Sequence, residues 1–308
     1  VGGLGPGHSL PKVIVIVGPT ASGKTKLAVA LARRFGGEIV SADSRQVYRG
    51  MDIGTGKDRR EYGRVPVHLL DAASPRGQFT VARYQRLAYR AIGQILRRGH
   101  LPILCGGTGL YVDAIIHGLQ FPKLRITDYE FREIRARLQR LSSAQLLARR
   151  RRVDPATYAV IDRHNRRRVE RAVEIFYATG KPKSAQPAQS PPGYHWLLIG
   201  ITRPKTALHR RIVHRLQVRL RQGMVAEIRR LHAQGVSWRR LDAFGLEYRW
   251  VSRYLRGQID RQTMEASLVR EIKQFARRQM VWWKRNPKIT WIANPAQARG
   301  LVRNFIQA

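Results

Sequence analysis

The chain predicts an α/β fold, a parallel sheet wrapped by helices, and three observations carry that reading. Short β-branched runs alternate with helical stretches as far as about Leu119. Those runs are apolar along their whole length, as strands covered on both faces must be. The residues with chemistry to offer fall where the strands end, the edge at which such sheets bind ligands.

In order, Val13-Ile14-Val15-Ile16-Val17 is the first strand, and Gly18-Pro19-Thr20-Ala21-Ser22-Gly23-Lys24-Thr25 follows it directly. That stretch has the G-x-x-x-x-G-K-[ST] form of a phosphate-cradling loop between strand and helix. Its glycines let backbone N–H groups turn toward an anion, Lys24 adds a point charge, and the Thr25 hydroxyl is placed to hold Mg²⁺. Residues 24–34 are helix formers. Residues 38–42 are a second strand ending at Asp43. A helix over 81–98 carries Tyr84, Leu87, Ala88, Ala91, Ile92 and Ile95 at helical spacing. Leu101-Pro102-Ile103-Leu104-Cys105 is a third strand, ending in Gly106-Gly107-Thr108.

From Gln120 to Gln189 strands give way to basic helical segments over 129–140, 144–152 and 165–177, closed by Gly180-Lys181-Pro182 and a Pro, Gln and Ser-rich loop over 185–193. Residues 194–201 return as a strand, and helices follow over 206–221, 224–234 and 263–285. The organisation expected is a core begun over 1–119, a helical insert over 120–193, and a return to the core with basic C-terminal helices over 194–308. The Gly- and Pro-rich residues 1–12 read as a flexible lead-in without a signal peptide's apolar centre.

The second loud signal is charge. Lys and Arg number 58 against 20 Asp and Glu, a formal net charge of +38 over 308 residues. Self-repulsion on that scale opposes compaction, so a polyanionic partner is the natural explanation, and nucleic acid rewards many basic contacts through counterion release. An arginine-rich genome accounts for part of the excess. No window approaches the length of a membrane-spanning helix. The lone cysteine, Cys105, excludes a disulfide framework and a Cys-based zinc site. A reducing, cytoplasmic setting follows.

Asp43 and Ser44 sit at a strand end, where a carboxylate beside a phosphate loop can help hold Mg²⁺, act as a general base, or simply cap a turn. Thr20 and Thr108 offer hydroxyls at two such ends. An ordinary P-loop NTPase has an apolar strand ending in Asp. Here Leu101–Cys105 ends in glycine, which argues against a plain NTP hydrolase. Arg203, Arg211 and Arg215 follow the return strand. Arg211 and Arg215 share a helix face and suit a pyrophosphate clamp, a kinase lid or a solvated surface. Arg167 and Arg171 project from one side of a helix whose stripe is Val169, Ala172, Val173 and Phe176. In the last helix Leu268, Ile272, Phe275, Trp282 and Trp283 gather on one side, opposite Arg270, Lys273, Arg277 and Lys284.

These stretches resemble the tRNA dimethylallyltransferases, also called tRNA isopentenyltransferases. The resemblance rests on the loop Gly18–Thr25 and the block from Ser41-Ala42-Asp43-Ser44-Arg45-Gln46 to Gly54-Thr55. It continues through Gly106-Gly107-Thr108-Gly109-Leu110-Tyr111, residues 168–174 with Thr179-Gly180, and Ala276-Arg277-Arg278-Gln279-Met280-Val281-Trp282. They run in family order over nearly the whole chain. The resemblance implies a P-loop kinase-like fold with a helical insert that grips the tRNA anticodon arm. The implied donor is dimethylallyl diphosphate and the acceptor is N6 of adenosine-37. Gly18, Pro19, Thr20, Ala21, Ser22, Gly23, Lys24 and Thr25 would then bind the diphosphate, with Mg²⁺ on Thr25 and with Arg211 and Arg215 completing the clamp. Asp43 would be the general base. Asp43, Ser44, Arg45, Gln46 and Thr108 would meet the flipped adenosine, and Arg167, Arg168, Val169, Glu170 and Arg171 would hold the tRNA. A monomer without membrane attachment is expected. The chain departs from the family pattern at Gly54-Thr55-Gly56-Lys57, at Pro66-Val67-His68-Leu69 and at Gly245-Leu246-Glu247-Tyr248. A nucleoside or small-molecule kinase would share the loop and the arginines but leave the charge and the basic last helix unexplained. A P-loop RNA-binding protein without transferase activity would tolerate loss of Asp43.

Overall fold

Val13 to Val17 are all fully buried, and the computed structural model, which describes residues 10–121, 127–185 and 192–308, shows what covers them. The described residues of Val1–Ile116 and Pro192–Ala308 form one compact unit, and those of His117–Pro191 form another. Most of the lead-in expected over 1–12, and most of the loop expected over 185–193, lie outside the described residues.

In the first unit six strands run in chain order as β1 (Lys12–Val17), β2 (Gly37–Ser41), β3 (Val67–His68), β4 (Leu101–Cys105), β5 (His195–Ile201) and β6 (Thr290–Ile292). They form one sheet in the order β3-β2-β4-β1-β5-β6, and every neighbouring pair is parallel. Ile14 lies opposite Ile103 of β4 and Leu197 of β5, so β1 is flanked on both sides. Before the second unit come α1 (Lys24–Phe35), α2 (Arg59–Tyr62), α3 (Val81–Arg97) and α4 (Gly109–Ile116). The second unit holds α5 (Asp128–Gln139), α6 (Ser143–Val153), α7 (Pro155–Tyr158) and α8 (Arg166–Thr179). The return to the first unit adds α9 (Lys205–Arg221), α10 (Met224–Ala233), α11 (Trp238–Phe244), α12 (Leu246–Leu255), α13 (Arg261–Trp283) and α14 (Gln297–Gln307).

Strand periodicity divides the core in two. Val13, Val15 and Val17 pack with buried residues of α3, α4, α9, α10, α12 and α13, whereas Ile14 and Ile16 face a layer from α1 and α14. Hence β1 reads as an unbroken apolar run. The edge strands β3 and β6, of two and three residues, are too short to show a period, which is why the sequence did not announce them. Along α13 the buried face is Met264, Ser267, Leu268, Ile272, Ala276, Gln279 and Trp283, while Phe275 and Trp282 are only half-buried. A glutamine on that face is unexpected from patterning.

At the amino end of β2, Glu38 is buried and holds three partners: His68 Nε2 at 2.6 Å, His100 Nδ1 at 2.7 Å and Arg98 Nη2 at 2.7 Å. Burial alone would raise its pKa, but hydrogen bonds from Arg98 and the two histidines outweigh it and hold the carboxyl at about 2. A carboxyl depressed in the folded state adds stability above its unfolded pKa and loses it as pH falls through the folded value. Stability is therefore expected to decline between about pH 5 and pH 2, and Glu38→Gln should flatten that part of a pH series of urea denaturations. An unchanged slope would remove Glu38 as its source.

The second unit is built on Leu138, Leu146, Val169 and Val173, contributed by α5, α6 and α8. Thr127 and Ser142 make capping boxes, and Asn165 accepts Arg168 N–H at the start of α8. Val169 is buried in this core, so it packs and presents no surface to a ligand. Glu170 pairs with Arg166 at 2.7 Å, and Arg171 with the buried Glu174 at 3.1 Å. Arg167 and Arg168 are exposed.

Candidate active site

The parallel sheet brings four strand ends to one edge: the loop after β1, Asp43 after β2, Gly106 to Thr108 after β4, and Arg203 after β5. The loop's turn is set by Gly18 at φ 145° and Gly23 at φ 100°, values that side chains resist. At Gly18 a Cβ would also stand 2.7 Å from the Ile201 carbonyl of β5. Ala21, at φ 62°, carries the one left-handed conformation inside the loop that is not glycine's.

Arginines hold the loop from outside. Arg203 Nε donates to Ser22 O at 2.6 Å, and Arg211 Nε donates to Ala21 O at 2.7 Å. Arg215 Nη1 stands 3.5 Å from the Thr20 hydroxyl. Each leaves further N–H groups over, and the Nη2 atoms of Arg203 and Arg211 both approach Gly23. Arg211, Arg215 and Arg219 are successive i, i+4 rungs on α9: the first two meet the phosphate loop, and Arg219 donates to Gly54 O at 3.3 Å and to Glu247 at 3.1 Å. Lys24 Nζ donates to Pro19 O at 2.7 Å. Burial first, and then the neighbouring Arg215, push this ammonium down to about 8. Arg219 is lowered to about 9 by burial and by Arg215, and burial lowers Arg215 as well. Cationic side chains crowded this closely without matching carboxylates are poised for an anion.

Asp43 lies across from them. Its Oδ1 accepts Arg45 N–H at 2.9 Å and Gln46 N–H at 3.4 Å, an Asx turn that leaves Oδ2 without a hydrogen bond among the described residues. Lys24 feels the Asp43 charge. Thr108 Oγ1 accepts Ser44 N–H at 2.9 Å, tying the β4 loop to the β2 loop. Gln46 is committed internally, to Ser41 Oγ at 3.3 Å and to the Gly56 carbonyl at 3.3 Å.

Sequence reasoning missed several residues. Glu247 pairs with Arg45 at 2.6 Å and with Arg219 at 3.1 Å. Burial would raise its pKa, but the two guanidiniums outweigh that and lower it. Arg45 also lies over the Phe275 ring, 5.6 Å from its centroid. Gln279 of α13 touches both the phosphate loop and the β4 loop. Arg219 was legible as the next rung after Arg211 and Arg215. Glu247 and Gln279 carry no local signal, because their partners are far along the chain. Of the expected site, the loop, Asp43 to Gln46, Thr108, Arg211 and Arg215 belong to this unit, and Arg167 to Arg171 belong to the other.

The family model described as IPP transferase matches residues 46–286. A tRNA dimethylallyltransferase 2 of Pelobacter propionicus is 45% identical over 284 residues, covering 91% of this chain and 89% of that protein. The crystal structure of a tRNA isopentenylpyrophosphate transferase from Bacillus halodurans superposes with a TM-score of 0.70 at 36% identity, covering 96% of this chain and 95% of the other. A eukaryotic dimethylallyltransferase captured acting on tRNA shares the fold, with a TM-score of 0.82 at 23% identity over 96% of this chain and 80% of its own.

Proposed function

The chain belongs to the IPP transferase family, and on that footing we propose that it transfers the dimethylallyl group of dimethylallyl diphosphate to N6 of adenosine-37 in tRNA, releasing diphosphate. The observation that carries this reading is the pairing at one sheet edge of a cation-rich phosphate loop with a carboxylate, Asp43, whose Oδ2 has no hydrogen bond among the described residues.

In this reading the loop N–H groups, Lys24, Arg203, Arg211 and Arg215 take the diphosphate. As the C–O bond to diphosphate breaks and the C–N6 bond forms, Asp43 accepts the N6 proton. The loop cations take up the charge that gathers on the leaving oxygens. The adenosine must leave its stack to reach Asp43, at a cost of roughly a few kcal/mol. Ser44 and Thr108, held together by a hydrogen bond, offer polar edges beside it. Arg45 is already bound to Glu247, so it serves by shaping that wall.

Mg²⁺ fits the residues present. Among the described residues no trio of His, Cys, Asp or Glu is placed to hold a metal by itself. The Thr25 hydroxyl and the Asp43 carboxylate are the hard oxygen donors that Mg²⁺ uses beside substrate phosphates. When bound, the ion would offset diphosphate charge.

Arg167, Arg168 and Arg171 suit the phosphates of the anticodon arm, as does the exposed stripe of Arg270, Arg277 and Lys284 on α13. Among the described residues no helix is long and apolar enough to cross a membrane. A cytoplasmic monomer is the working form this reading assumes.

The test is incubation of unmodified tRNA with labelled dimethylallyl diphosphate or labelled ATP. Label from the prenyl donor is expected in the RNA, and label from ATP alone would favour a kinase. tRNA affinity should fall steeply as salt is raised. A flat response would separate the +38 charge from RNA binding.

A further inference from the structure

The side-chain amide of Gln279 spans two loops of the site. Its Oε1 accepts Thr20 N–H at 2.8 Å and its Nε2 donates to Gly107 O at 2.9 Å. The residue is buried on α13, a helix whose other side is basic and exposed. Gly107 makes the reach possible, since a Cβ there would collide with Nε2. An amide carries donor and acceptor at one end; a carboxylate lacks the donor and a thioether lacks both good partners. One N–H of the phosphate loop is therefore committed to α13 and not to an anion. The same contact leaves the Thr20 hydroxyl 3.5 Å from Arg215.

We propose that Gln279 is a positioning residue that clamps the phosphate loop and the β4 loop to α13, fixing the loop for diphosphate. This rests on the transfer reading above. Gln279 touches neither substrate in it; it acts through Thr20 and through the Gly107-Thr108 segment.

Q279M and Q279E are compared with the wild type by titration calorimetry with inorganic pyrophosphate and by steady-state transfer. For Q279M, Kd for pyrophosphate and KM for dimethylallyl diphosphate are expected to rise about tenfold, the effect of one lost buried hydrogen bond to the loop. Its tRNA affinity should stay near wild type, while its melting temperature should fall, because Thr20 N–H and the buried Gly107 carbonyl lose their partner. In Q279E the carboxylate faces the Gly107 carbonyl at neutral pH, and pyrophosphate binding should be weaker still. That binding should recover relative to wild type as pH falls, because the protonated acid regains a donor for Gly107 O. Q279M should show no such recovery. If Q279M does not fold, the pH series on Q279E carries the test. Pyrophosphate affinities within twofold of wild type in both variants, or a pH-independent loss in Q279E, would overturn the clamp. Absence of labelled tRNA with the wild type would instead overturn the transfer reading, and the pyrophosphate titration would still report on Gln279.

Discussion

Asp43→Asn is expected to lower kcat/KM for prenyl transfer by about 10²–10⁴-fold, the range supplied by a positioned general base. Asparagine keeps an oxygen for Arg45 N–H and Gln46 N–H, so the turn that Oδ1 makes at 2.9 and 3.4 Å survives. What it loses is the capacity to accept the N6 proton. The tRNA dissociation constant should therefore stay within a few-fold of wild type, and the melting temperature should not move. Asp43→Ala removes the turn acceptor as well and should add a loss of stability to the same loss of rate. Single-turnover assays with saturating tRNA separate the chemical step from binding. Full activity in Asp43→Asn would assign the proton to another group.

Asp43 was legible because its signal is local: it ends an apolar strand, and parallel topology carries every such end to one edge. The phosphate loop, the four longer strands and the i, i+4 arginines of α9 were legible for the same reason. Their periodicity or spacing lies within one element. Glu227, Glu247 and Gln279 were not, since each acts on partners far off in the chain. Glu227 meets Asp52 across 175 positions, and Gln279 meets Thr20 across 259. A buried polar residue on a helix face breaks the apolar pattern without saying what it binds. Helix α12 was hidden differently. It begins at Leu246 in a left-handed conformation, φ 44°, directly after Gly245, so no ordinary capping residue marks its start.

The variant motif Gly245-Leu246-Glu247-Tyr248 gains a physical account from these contacts. Glu247 pairs with both Arg45 and Arg219 and offsets one of their two charges beside the cations of the phosphate loop. Tyr248 turns the other way, to Glu227. Adjacent residues at the start of α12 thus serve two clusters, one electrostatic and one structural. The excess cations left after Glu247 and Asp43 are counted, chiefly Lys24, Arg211 and Arg215, are those placed around the loop where a diphosphate would bring its own negative charge. In the +38 chain, compensation is local: carboxylates stand where a cation must stay in place without ligand.

Glu227→Ala is expected to cost about 3–5 kcal/mol of folding stability, as breaking one side of a buried charged network does. The carboxylate is 1% exposed and accepts four hydrogen bonds. Oε2 takes Asp52 N–H at 2.8 Å and Ile53 N–H at 2.6 Å, and Oε1 takes Gly54 N–H at 3.0 Å and the Tyr248 hydroxyl at 2.9 Å. Three consecutive backbone donors converge on one side chain, so the turn they form depends on a negative group from α10. Burial first, and then Glu227 itself, raise the Tyr248 pKa far above its ordinary value, which keeps the phenol a donor. Alanine strands all four donors away from water, each costing about 1–3 kcal/mol less whatever relaxation recovers. Glu227→Gln is the informative control. Its single carbonyl oxygen can serve one pair of donors, but its NH₂ must then face the other pair, so a loss of about 2 kcal/mol is expected. Tyr248→Phe removes one donor and leaves the carboxylate three, for a loss of about 1 kcal/mol. Urea denaturation of the three variants should give that order. A Glu227→Ala loss below about 1 kcal/mol would mean that water reaches the turn and that its donors do not depend on Glu227. Because this turn is continuous with the segment that begins at Asp43, the Ala variant should also blur the site, lowering kcat for transfer in step with the fraction of the turn that has opened.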